Sequence, residues 1–451
     1  MIPTTQKPKG PKGLPFVGYL PAFRKHPLKF LKRMAEEYGD LAYFKLGPQH
    51  VYLVNHPELV REILVLRQHN FTKSRMLQRA RILLGDGLLT SEGQVHVRQR
   101  RLVQPAFHRD RLPAYGKVMS DFARRARDRW QPGATLEMSH EMMQLTLAIV
   151  GKTLFSADVQ SEASEIGQAL TSVLEMFDIL LLPFSEYLEK LPLPSVRRFE
   201  RARTVLDETI YRMIRERRAC GEDRGDLLSM LLLAQDEDDS GGMTDTQVRD
   251  EALTLFLAGH ETTANALTWT WYLLSQNPEC EARLHQEIDE VLGDRSPSFD
   301  DLPQLRYAEM VIAEAMRLYP PAWAIGRMSK EAFELGGIEI PAKAICITSP
   351  YVMHRDSRYY PDPERFDPER WTPEKKEARP KFSYFPFGGG SRVCIGERFA
   401  WMEGVLVLAT ISQKWKLRLA PDQRVEPLPL ITLRTKYGMR MKVESRGTAR
   451  V

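Results

Sequence analysis

The sequence predicts a mainly α fold with small β-sheets, and three observations carry that expectation. Apolar residues recur at helical spacing along most of the chain. Turn-punctuated strand patterns are confined to two short stretches, 41–54 and 333–349. No internal repeat is present.

Residues 1–22 contain Lys-Pro-Lys-Gly-Pro-Lys-Gly-Leu-Pro, too rich in Pro and Gly for a helix or an interior strand, so an extended lead-in is expected. Helical periodicity follows at Pro27 to Tyr38. Leu41 to Leu46, Gly47-Pro48 and Val51 to Val54 then read as a β-hairpin. Helical patterns cover 57–67, 97–103, 113–130, 136–155, 161–177 and 196–218. The acidic, Gly-containing segment Gln235 to Gly242 is the best linker candidate, although one large domain, 23–451, is preferred. Thr244 and Gln247 have capping-box spacing and open a helix that runs to Gln276, where Asn277-Pro278 stops it. A helix of that length would run about 48 Å at the standard rise and cross a whole domain. Helices are also expected at 278–291, 305–318 and Glu397 to Leu408. Phe333 to Ser349, turning at Gly336-Gly337, is expected to be strand.

Of 451 residues, 43% are hydrophobic and 27% charged, which excludes collagen-like, low-complexity and wholly disordered chains. Sixty-four Lys and Arg against 59 Asp and Glu leave +5, too small an excess over so long a chain for nucleic-acid binding. The four cysteines, Cys220, Cys280, Cys346 and Cys394, form no C-x-x-C pair, so no disulfide framework or structural zinc site is expected and a reducing, cytoplasmic setting is the simpler reading. No window of about 20 apolar residues suggests a membrane anchor, and the run Leu14 to Leu20 is broken by Pro15 and Gly18.

Two stretches carry chemistry. Within the long helix, Ala258-Gly-His-Glu-Thr-Thr263 sets Ala258, Glu261 and Thr262 at i, i+3 and i+4, on one face. The face could be a proton relay, a solvated patch or the site of a kink, since hydroxyls in a helix can capture its carbonyls. The second stretch is Phe387-Gly-Gly-Gly-Ser-Arg-Val-Cys-Ile-Gly396. Consecutive glycines suggest φ > 0 or a close approach. A phosphate cradle is one reading, although no G-K-[ST] follows. Cys394 opens a helical segment beside Arg392, where a thiolate would be stabilised as metal ligand or nucleophile.

Phe387, Gly390, Arg392, Cys394 and Gly396 fit F-x-x-G-x-R-x-C-x-G, and the loop resembles the haem-binding loop of the cytochrome P-450 family. Ala258 to Thr263 is similar to the family's oxygen-activation motif, Glu314-x-x-Arg317 to its E-x-x-R, and Phe366 to Trp371 to its F-x-P-E-R-F. The resemblance implies a triangular helical prism with the long central helix over haem b, and Cys394 as the iron's axial thiolate. Phe387 would shield the sulfur. Arg392, His96, Arg100 and Arg327 would meet the haem propionates, with Ala258 and Gly396 also against the cofactor. Thr262 would hold the distal hydroxyl relay, and Glu261 would bring protons from the solvent side. Glu314 and Arg317 would form a buried triad with Arg370, Arg365 being the competitor.

The implied reaction is monooxygenation, in which R–H, dioxygen, two electrons and two protons give R–OH and water. Thiolate ligation favours O–O cleavage. No flavin or iron–sulfur domain is expected after the loop, so electrons would come from a separate ferredoxin or flavodoxin with its reductase, meeting Arg98, Arg101, Arg109, Arg111 and Arg398 on a monomeric enzyme. By family position the pocket draws on Leu84, Leu88, Leu174 to Phe184, Phe256, Ala324, Ile325 and Leu430, which suits a lipophilic substrate. Fatty acid is the first choice, with Arg79 and Arg81 as candidate anchors. Terpenoids, steroids and polyketides form the alternative.

Overall fold

A computed structural model describes residues 8–157, 166–170, 172–173, 191, 193–234 and 242–446. The apolar run Leu174 to Phe184, most of the linker candidate and much of the 161–177 helix lie outside the described residues. The chain divides into two compact units, one comprising Met1–Arg79, Arg317–Arg365 and Arg370–Cys394, the other Ala80–Met316, Phe366–Glu369 and Ile395–Val451.

The first unit is built on a five-stranded sheet. Leu41–Leu46 and Gln49–Val54 form the expected hairpin, with Gly47 at φ +60 in its turn. Ile345–Thr348 pairs parallel to Gln49–Val54, and Ile325–Ser329 and Phe71–Lys73 complete the order. The 333–349 stretch therefore splits. Phe333–Leu335 and Ile338–Ile340 form a separate hairpin through Gly336 and Gly337, both at positive φ. Successive strand residues point to opposite faces. One face buries Leu41, Tyr52 and Val54 with Ile63 and Leu64, and the other buries Ala42, Phe44, Val51 and Leu53 with Phe30, Leu31 and Met34. The expected 57–67 helix is α-helical at Pro57–Arg61 and π-helical at Glu62–Leu66.

The second unit is mainly helical. Its longest element, Asp245–Gln276, begins and ends where the capping residues foretold: Thr244 Oγ1 accepts from Gln247 N at 3.2 Å, and Gln247 Oε1 accepts from Thr244 N at 2.9 Å. Apart from Ala258, its residues from Val248 to Ala266 are buried or half-buried, so tertiary packing stabilises the helix beyond local propensity. Met138–Phe155 packs closely on it because position 259 is Gly; a Cβ there would approach Val150 Cγ2 to 3.1 Å. Three short strands, Thr135–Glu137, Arg440–Ser445 and Trp415–Leu419, form one sheet, and Pro427–Pro429 pairs with Leu433–Thr435. Trp269 Nε1 donates to Leu433 O at 2.9 Å, tying that ribbon to the long helix.

Candidate functional site

In the first unit the glycine-rich loop is closed on itself. Gly388, Ser391, Val393 and Cys394 donate their N–H groups to Phe385 O, Gln68 Oε1, Gly390 O and Phe387 O at 3.0, 2.7, 3.1 and 3.0 Å. Gly390 lies at φ +69, and a Cβ there would stand 2.0 Å from Leu64 O, on the π-helical turn. The glycines thus allow the loop to approach its own protein. Four of its N–H groups are thereby engaged within the protein and are not offered to a phosphate. The Cys394 side chain, by contrast, is exposed.

Of the other cysteines, Cys220 is also exposed and Cys280 is half-buried. Cys346 is buried, and desolvation pushes its thiol up to about 12, which makes it inert at neutral pH. Among the described residues no group of three or more His, Cys, Asp or Glu could hold a bare metal ion. A metal at Cys394 would therefore arrive with its own ligand set, as haem iron does. One exposed soft donor at the end of a rigid loop fits that chemistry.

Arg392 closes the Gly390–Arg392 turn, and it and Phe387 are half-buried. Arg327 stands on Ile325–Ser329 opposite Lys73 and Cys346, and its guanidinium donates to Gly326 O at 3.2 Å. Ala324 and Ile325 are half-buried in the same segment.

Arg317, fully buried, donates to His354 O, Pro363 O and Arg365 O at 2.8, 2.6 and 3.0 Å. Arg370 is buried and donates to Asp362 O at 2.9 Å, whereas the Arg365 side chain is exposed. In the second unit, buried Glu314 accepts from Asp367 N at 2.9 Å. Glu314, Arg317 and Arg370 each bond backbone atoms, so the chain path contributes to the geometry as well as charge.

The long helix separates the acid and the alcohol of its motif. Thr262, half-buried, donates to Ala258 O at 2.8 Å, and Ala258 is exposed between buried stretches of the helix. Glu261 is buried and turns to the strand ribbon: its Oε1 accepts from Thr432 Oγ1 and, at 2.8 Å, from Arg434 Nε. Asn265 Nδ2 donates in turn to Thr432 Oγ1 at 3.1 Å. Glu261, expected to bring protons from the solvent side, thus has the Arg434 guanidinium and the Thr432 hydroxyl at its carboxyl. Thr432 and Arg434 were missed in the sequence, since no local pattern joins them to a helix some 170 residues earlier.

His96 is buried on Gly93–Val103, with half-buried Arg100 one turn on. Gly396 is the N-cap of Glu397–Ser412. Of the pocket candidates in this unit, Leu84, Leu88 and Phe256 are buried and Leu430 is half-buried.

Two buried carboxyls also went unnoticed in the sequence. Burial pushes Glu251 up to about 8 even though its Oε2 accepts from Leu88 N at 3.0 Å, and Asp250 beside it adds to the rise. Burial likewise pushes Glu403, on Glu397–Ser412, up to about 8. Glu251 ties the chain beside Leu84 and Leu88 to the long helix, aided by Asp250 Oδ2, which accepts from Asp86 N at 3.0 Å.

The family model described as Cytochrome P450 matches residues 8–441. Cyclooctatin synthase of Streptomyces melanosporofaciens is 43% identical over 97% of this chain and 95% of its own. Cyclooctat-9-en-7-ol 5-monooxygenase of the same organism is 41% identical over 91% and 89%. Pentalenene oxygenase of Streptomyces avermitilis is 37% identical over 97% of each. No helix among the described residues is long and apolar enough to cross a membrane.

Proposed function

The chain belongs to the cytochrome P450 family, and on that premise we propose that it hydroxylates or epoxidises a cyclic terpenoid, with haem b held by Cys394 and electrons supplied by a ferredoxin or flavodoxin and its reductase. Membership makes it a monooxygenase that uses haem, dioxygen and a redox partner. The substrate reading rests on the relatives named for cyclooctatin, cyclooctat-9-en-7-ol and pentalenene, each aligned along most of its length. These names favour the terpenoid alternative over the fatty acid expected first.

When bound, thiolate-ligated haem supplies the O–O cleavage that attack on an unactivated C–H bond requires. Cys394 would give the thiolate, with Phe387 beside it, and Arg392, Arg327, His96 and Arg100 would take the propionates. Gly396 and Ala258, small at their positions, would leave room for the ring. The Thr262 hydroxyl, donating to Ala258 O, keeps lone pairs that can accept a proton in a relay. Glu261, protonated from the solvent side, would be the source of that proton, with Thr432 and Arg434 fixing its carboxyl in direction. Leu84, Leu88, Phe256, Ala324, Ile325 and Leu430 would offer apolar surface to the hydrocarbon skeleton.

Optical titration of the purified ferric protein tests the substrate reading. Cyclic terpenes and their alcohols are expected to give a saturable low-spin to high-spin shift, and C10–C18 fatty acids a weaker one or none. A shift confined to fatty acids would reverse the assignment.

A further inference from the structure

The charge of this chain is unevenly placed. Residues 1–35 hold eight Lys and Arg and no Asp or Glu, whereas the remaining 416 residues hold 56 basic and 59 acidic side chains. All of the net positive charge therefore belongs to this first segment.

The same segment carries an apolar tip. Leu14, Phe16 and Val17 are 63%, 97% and 42% exposed, an arrangement that water penalises for adjacent large side chains. The tip is rigidly held. Gly18 N donates to Leu14 O at 2.9 Å, Gly47 N to Val17 O at 2.9 Å and Tyr19 N to Lys45 O at 2.7 Å. Gly18 sits at φ +59, and a Cβ there would lie 2.3 Å from Lys45 O, so the turn is pressed onto the first hairpin. Phe16 itself has φ +61, a conformation a bulky residue adopts only where its surroundings impose it. The chain thus holds an aromatic ring outward at a backbone cost.

Basic residues surround this tip in the chain. Lys9, Lys12, Arg24, Lys25 and Lys29 are exposed and make no ion pair among the described residues, while Lys32 and Arg33 pair with Glu364 and Glu37. We propose that residues 9–29 form a docking surface for an anionic lipid bilayer, with Phe16, Leu14 and Val17 entering the boundary between headgroups and acyl chains and the Lys and Arg side chains meeting lipid phosphates. An acidic protein would match the charge, but the three projecting apolar groups call for a medium that admits them without a shaped pocket. Neither signal alone binds strongly; together they give reversible adsorption. A lipophilic substrate partitions into the same bilayer, so adsorption brings enzyme and substrate to one phase.

The test is sedimentation of the full-length haem protein with phosphatidylcholine vesicles, with and without phosphatidylglycerol. The wild type is expected to bind the anionic vesicles only and to be released by about 1 M salt, where screening is nearly complete. Phe16→Asp and Lys12→Glu should each weaken binding, the first about tenfold. Both positions are exposed, so the haem spectrum and Tm of the variants should match the wild type, separating this proposal from the enzymatic one. Absence of vesicle binding, equal binding to neutral vesicles or undiminished binding by Phe16→Asp would each overturn it. Capture on polyglutamate beads without vesicle binding would overturn it too, and would reassign the surface to an acidic protein.

Discussion

Arg434 holds Glu261 through a 2.8 Å hydrogen bond from its Nε, joining a late strand of the second unit to the middle of the long helix. Thr432 donates to the same oxygen. Removing the guanidinium leaves a buried carboxylate without its counter-charge, at a cost of about 3 kcal/mol. Arg434→Ala should lower Tm accordingly, and the double variant with Glu261→Gln should recover part of the loss. If the double variant is no more stable than Arg434→Ala alone, the ion pair is not the source.

Glu261→Gln and Thr262→Ala address the relay separately. Each should slow product formation by about 10² or more, the usual scale of a lost proton-transfer group, while leaving terpene affinity in the optical titration within about twofold. Equal losses in affinity and turnover would mean that these residues shape the pocket instead.

The proposed triad of Glu314, Arg317 and Arg370 is divisible by substitution. Arg317→Lys keeps the charge but loses the fork that reaches three carbonyls, so it should destabilise the protein by about 3 kcal/mol and impair haem loading. Arg370→Ala should also cost stability. Arg365→Ala, changing an exposed side chain, should move Tm by less than about 2 °C. A larger effect at Arg365 than at Arg370 would reverse the choice between them.

Stability should fall as pH rises through the neutral range. Glu251 and Glu403 are both raised by burial to about 8, from an ordinary 4.5. The folded state therefore keeps protons that the unfolded chain has released, and between about pH 4.5 and 8 each group contributes a downward slope of up to about 1.4 kcal/mol per pH unit. Below 4.5 that contribution is fully present. Denaturant titrations across pH 5–9 should show a shallower decline in Glu251→Gln and Glu403→Gln than in the wild type. Parallel curves would mean that both carboxyls ionise normally.

Gly390 was legible in the sequence as a position of special backbone, but what it approaches was not. Its neighbour is Leu64 O, on a turn whose π-helical path has no pattern distinct from an α-helix in the apolar spacing of 57–67. The long helix could be read to both ends because a capping box and an Asn-Pro pair are local signals. The strand Ile325–Ser329 could not, because its partners at Phe71–Lys73 and Ile345–Thr348 are distant and its burial depends on them. The same reason hid Thr432 and Arg434. The motif supplied Cys394, Glu261 and Thr262, and only the tertiary structure supplied the groups that orient the acid.

Cys394 as the haem-iron ligand is the claim on which the rest depends, and the optical spectrum of the reduced, carbon monoxide-bound protein tests it directly. The wild type should give the thiolate-type spectrum, and Cys394→Ala should abolish it while Cys346→Ala retains it. A wild type that binds haem without the thiolate signature, or a Cys394→Ala variant that keeps it, would contradict the assignment.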